Sequence, residues 1–118
     1  MKDYIKDLTC FHEVGWWFKN KPEAGTEQNV VEIHPVTGER YLNVSEIFTT
    51  RINGLPHDEA KHLLSFLREH ATNDMWTHRH TWTKNCVAIW DDRLIQHKAI
   101  HNFFGRNEGR VGYRIHIN

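Results

Sequence analysis

At 118 residues the chain fits one small globular unit with a modest core. Its 15 Lys and Arg balance 15 Asp and Glu, so charge gives no reason to expect nucleic acid as a partner. Cys10 and Cys86 lack metal-site spacing, and two cysteines make no disulfide framework, so a reduced, cytoplasmic setting is the default expectation. No apolar run reaches membrane-spanning length, and the opening M-K-D-Y-I-K-D-L has no signal-peptide core.

Residues 1–29 read as an irregular N-terminal segment. Cys10, Phe11, Val14, Trp16, Trp17 and Phe18 form an apolar cluster without clear periodicity, and Pro22 and Gly25 mark a loop. From Val30 the signals sharpen. N-V-V-E-I-H reads as a short strand, P-V-T-G-E-R as a turn punctuated by Pro35 and Gly38, and R-Y-L-N-V as the returning strand of a hairpin. Residues 57–70 are predicted as the one long helix. Pro56 stands at its first turn, acidic residues follow, Arg68 and His70 close it, and Ala60, Leu63, Leu64 and Leu67 recur at helical spacing.

The second half reads as a series of short strands. Met75 to Trp82 alternate, T-K-N is a tight turn, and Cys86 to Trp90 form a strand expected to be buried on both faces. Asp91 and Asp92 turn the chain before a strand over 94–98 presents His97. A loop containing Gly105 and Gly109 leads to a last strand over 110–117. There Arg110, Gly112, Arg114 and His116 share one face, and Val111, Tyr113 and Ile115 share the other. Residues 86–90, 94–98 and 110–117 are expected to lie in one sheet. The fold class is mainly β with one long helix (α+β).

Trp90-Asp91-Asp92-Arg93, then His97, then Arg110 resemble the C-terminal portion of the taurine catabolism dioxygenase family, iron(II)- and 2-oxoglutarate-dependent oxygenases. H34-P35-V36-T37-G38-E39-R40 and F48-T49-T50-R51-I52 resemble further landmarks of that family in the right order. The resemblance covers about residues 30–118, which are read as a partial dioxygenase domain. It implies the C-terminal half of a double-stranded β-helix, a jelly-roll-like barrel. It also implies Fe(II) as metal, with 2-oxoglutarate as co-substrate decarboxylated to succinate while O2 oxidises a small, anionic organic substrate. On this resemblance His97 is the metal ligand, Arg110 holds 2-oxoglutarate and Arg114 contacts the substrate anion. Asp92 departs from the Asn usual in the family.

The H-x-D motif that supplies the family's other two iron ligands occurs nowhere in the sequence. The chain is therefore read as a truncated or partial enzyme, inactive in isolation. A half-barrel would also leave open sheet edges, which invite self-association.

Other constellations carry less. His57-Asp58-Glu59 matches H-x-E, yet acidic residues are expected at a helix start. His78 and His80 share a strand face, but no cysteine or carboxylate cluster joins them as a zinc site. His97 and His101 have helical spacing in a stretch that does not read as helix, and the pair is discounted. Arg110 and Arg114 have a bland reading as a solvated basic face. Gly112 between them leaves room for a bound group, and a planar guanidinium suits a carboxylate or similar anion. A non-catalytic β-rich module that binds an anion through the same arginines is the alternative to a dioxygenase.

Overall fold

The computed structural model describes residues 1–14, 24–100 and 111–117. A short helix α1 (Lys2–Ile5) leads to β1 (Thr9–Glu13), β2 (Gly25–Asn29), β3 (Val31–Ile33), β4 (Arg40–Leu42), β5 (Thr49–Ile52) and the long helix α2 (His57–Ala71). Among the described residues these strands make two antiparallel sheets. One has the order β2-β1-β5, and the other is the β3–β4 hairpin.

Within the segment read as irregular, Lys2–Ile5 form a helix and Thr9–Glu13 and Gly25–Asn29 form strands. Cys10 pairs with Gln28 on one side and Ile52 on the other, so β1 is the central strand of its sheet. Its register with β5 shifts between Phe11 and His12, and such a bulge blurs the alternation that would mark the strand in sequence. The polar β2, G-T-E-Q-N, is largely exposed and offers no apolar face to read. Trp16, Trp17 and Phe18 of the apolar cluster lie outside the described residues.

The hairpin forms as its punctuation predicts, with Val31 opposite Leu42 and Ile33 opposite Arg40. Gly38 takes φ +73° in the turn, a left-handed value that favours glycine. The His34 and Gly38 amides donate to the Glu39 and His34 carbonyls at 2.8 and 2.9 Å, closing the turn. Helix α2 also matches its pattern. Ala60, Leu64 and Leu67 are buried, and Leu63 packs against them. With Ile5, Cys10, Val30, Val44 and Ile52 they form the core between α2 and the three-stranded sheet. Arg68 of α2 donates from Nη2 to the Thr49 carbonyl of β5, tying the two together.

Beyond α2 the structure departs from the expected strands. Residues 75–82, 86–90, 94–98 and 111–117 pair in no sheet among the described residues, and Arg110 lies outside them. The backbone bonds here are local turns: Trp76 to Asn73, Cys86 to Thr83, and Leu94 and Ile95 to Asp91. The T-K-N turn is present, with Asn85 at φ 63°. Alternation selects faces, but a strand exists only where a neighbour accepts its ladder of hydrogen bonds.

The segment 86–90 is also not buried on both faces. Val87 and Ile89 are 80% and 92% exposed, while Cys86, Ala88 and Trp90 are half-buried. The described residues therefore form a mixed α/β structure with antiparallel sheets.

Candidate functional site

The stretch from Trp90 to His97 folds back on the β3–β4 hairpin. Asp91 makes the turn: its Oδ1 accepts the Arg93 amide at 2.9 Å, and its carbonyl accepts the Leu94 and Ile95 amides. Its other oxygen, Oδ2, lies 2.9 Å from Nε2 of the buried His34. Five residues on, Gln96 donates from Nε2 to the Val44 carbonyl at 2.6 Å.

Asp92 is the centre of the cluster. Trp90 donates from Nε1 to its Oδ1 at 2.6 Å, and Arg114 donates from Nη2 to its Oδ2 at 3.3 Å. His97 Nδ1 and His116 Nδ1 stand 3.7 and 3.6 Å from the same carboxylate. The His97 and Trp90 rings are 5.1 Å apart, and the Arg114 guanidinium lies 5.9 Å from the Trp90 ring centre. The hydrogen bond from Trp90, and then the positive charge of Arg114, hold the Asp92 carboxyl below its ordinary value. Asp91 is lowered likewise, first by the Arg93 amide and then by the His34 hydrogen bond.

Two of the three residues expected at the site, His97 and Arg114, thus meet on one carboxylate, each about half exposed. With Asp92 and His116 they are 45–60% exposed, so among the described residues the cluster faces solvent. Arg114 and His116 reach the same side of the last segment, while Tyr113 and Ile115 stand free at 96% and 85% exposure. Arg114 and His116 thus share a face as alternation predicts, although the opposite face is exposed and no ladder holds the segment among the described residues. The third residue, Arg110, lies outside the described residues, as do His101, Gly105 and Gly109.

The discounted constellations stay apart. His57 and Glu59 open helix α2 as exposed residues. His78 and His80 have rings 6.5 Å apart, and His80 packs edge-on against Trp82 and meets Cys86 Sγ at 3.4 Å. In the sequence Asp92 reads as a turn residue and as a departure from the family's Asn, and His34 as part of a family landmark with no role in the site. The available signal was a histidine closing an apolar strand before Pro35, where burial demands a polar partner.

An iron(II) site of this kind needs two imidazoles and a carboxylate converging on one point. No group of three or more His, Cys, Asp or Glu among the described residues is placed to hold a metal ion. His97 Nδ1 stands 3.7 Å from the Asp92 carboxylate, beyond hydrogen-bond distance. By themselves the described residues do not fit the metal.

The described residues thus carry antiparallel sheets, one long helix, and His97 and Arg114 gathered on Asp92 beside the W-D-D-R turn. The chain matches the family of taurine catabolism dioxygenase TauD, TfdA, over residues 9–116, and belongs to it. An alpha-ketoglutarate-dependent sulfate ester dioxygenase of Pseudomonas putida is 40% identical over 78 residues, covering 66% of this chain and 26% of that protein. An alpha-ketoglutarate-dependent sulfonate dioxygenase of Saccharomyces cerevisiae is 34% identical over 111 residues, covering 85% of this chain and 27% of that one. The crystal structure of a taurine dioxygenase from Burkholderia xenovorans aligns with a TM-score of 0.61 at 35% identity. That alignment covers 70% of this chain and 28% of the other. The chain spans less than a third of the length of these relatives. No helix among the described residues is long and apolar enough to cross a membrane.

Proposed function

We propose that this chain carries the co-substrate and substrate end of a dioxygenase that uses 2-oxoglutarate (alpha-ketoglutarate) and O2 on a small anionic substrate. A sulfonate or sulfate ester is the favoured class, by similarity to relatives named for those compounds. The reading rests on one observation: His97 and Arg114 converge on Asp92 within a chain whose family match runs to residue 116.

In this reading His97 supplies one ligand to Fe(II), and Arg110 clamps the distal carboxylate of 2-oxoglutarate through its planar fork. Arg114 pairs with the substrate's anionic group. The remaining two ligands come from an H-x-D segment that this sequence lacks, and the jelly-roll barrel is complete only with it. The relatives named above are dioxygenases, which disfavours a non-catalytic anion-binding module.

The test is to supply an H-x-D-bearing N-terminal half, fused or co-expressed, and measure iron binding and oxygen-dependent succinate formation. The isolated chain is expected to give little or no turnover, and the completed protein to bind iron and turn over. His97→Ala should abolish metal binding in the completed protein. Arg110→Ala should mainly raise the 2-oxoglutarate requirement, and Arg114→Ala the substrate requirement. Robust turnover by the isolated chain, or full iron affinity in His97→Ala, would overturn the assignment.

A further inference from the structure

His34 is a buried, 4% exposed histidine whose ring spans two elements far apart in sequence. Its Nδ1 accepts the Val36 and Thr37 amides at 3.3 and 3.1 Å. A ring nitrogen that accepts carries no proton, so in the neutral imidazole the proton sits on Nε2. That Nε2 faces Asp91 Oδ2 at 2.9 Å, and the pair is a donor meeting a carboxylate. The hairpin turn thus fixes the tautomer, and the tautomer fixes the contact.

Asp91 spends its other oxygen on the Arg93 amide and its carbonyl on the amides of Leu94 and Ile95. Holding Asp91 therefore holds the whole turn 91–95. Gln96 then bonds the Val44 carbonyl just past β4. The two ties bracket the turn and leave His97 as the next residue, with its ring against Trp90. We infer that His34 is a positioning residue: through Asp91, and with Gln96 as the second tie, it docks the W-D-D-R turn on the β3–β4 hairpin and so sets where His97 stands.

A bystander role for His34, in which the ring only fills volume, makes a different demand. A phenyl ring would then serve as well as an imidazole. If the hydrogen bond is what matters, a side chain of similar reach that keeps an N–H toward Asp91 should substitute for it, and an apolar ring should not. The functional weight of the inference rests on the reading of His97 as a metal ligand, but its test needs no metal.

The experiment is NMR on the full chain with 15N labelling. Nitrogen shifts of the His34 ring should give the Nε2-protonated tautomer at neutral pH. The His97 ring protons should be displaced upfield by the Trp90 ring. In His34→Phe and in Asp91→Ala that displacement should collapse and the amides of 91–97 should move, while the amides of β1, β2 and β5 hold their positions. His34→Gln should restore the displacement at least in part. Asp91→Ala removes the half-exposed partner and leaves the buried side intact, so it answers the question even where a His34 variant fails to fold. An Nδ1-protonated His34, or a His97 displacement retained in His34→Phe or Asp91→Ala, would overturn the inference. Full iron affinity in His97→Ala of the completed protein would instead remove the ligand reading and leave this placement standing.

Discussion

Cys10 and Cys86 are alike in sequence and unlike in the fold. Cys10 is fully buried in the core, and its Sγ lies 3.6 Å from the Asn43 carbonyl and 3.3 Å from His12 Nε2. Burial, and then the charges of Glu32 and Glu27, push its thiol up to about 11. Only the thiolate reacts with alkylating agents. Iodoacetamide at pH 8 should therefore label half-buried Cys86 and spare Cys10, with peptide mass spectrometry reading the difference. A sign follows for stability. In the unfolded chain the Cys10 thiol loses its proton near the ordinary value of about 8.5, while the folded one keeps it to about 11. Between these values the unfolded state binds fewer protons, so stability should fall as pH rises through that window. Urea midpoints at pH 8 and pH 10 measure it, and Cys10→Ala should lose this part of the pH dependence. None of this was legible from the sequence, because the two cysteines differ only in what surrounds them.

The elements that could be read were those whose signal is local. The hairpin announces itself through Pro35 and Gly38, and α2 through its stripe and its charged ends. Both formed close to where they were expected. Strand β1 could not be read, since its partners lie some distance along the chain in β2 and β5 and a bulge breaks its rhythm. The reverse error occurred at 86–90 and 94–98. An apolar run such as C-V-A-I-W suits a strand, yet it does not say whether a neighbour supplies the ladder. For the candidate site, the sequence pointed to His97 and Arg114, but not to their meeting on Asp92 or to the contact between His34 and Asp91. Two substitutions check the legible elements. A Cβ at Gly38 would meet no atom within 4 Å, so the cost of Gly38→Ala comes from its φ of +73°. It should be about 1 kcal/mol. Leu64→Ala removes a buried core side chain and should cost roughly 2–5 kcal/mol. Urea denaturation with an unchanged m-value would attribute both losses to stability.

At the scale of the whole molecule, the last segment sets two faces against each other. Arg114 and His116 are drawn to Asp92, which turns Val111, Tyr113, Ile115 and Ile117 outward at 85–96% exposure. Val87 and Ile89 are likewise bare. Apolar side chains exposed singly are ordinary, but a row of four at alternate positions is a surface that water disfavours. The same backbone carries ladder groups that no strand among the described residues satisfies, and such an edge templates pairing with another chain. The isolated chain should therefore associate with itself as concentration rises, measured by sedimentation velocity across a dilution series. The double variant Tyr113→Lys, Ile115→Lys puts two charges on the outward face and leaves Arg114 and His116 in place, so it should stay monomeric at concentrations where the parent associates. Its circular dichroism should be unchanged, because neither residue belongs to the buried core. A parent chain monomeric at every concentration would mean that the apolar row is tolerated in water. Equal association of parent and variant would move the interface elsewhere on the molecule.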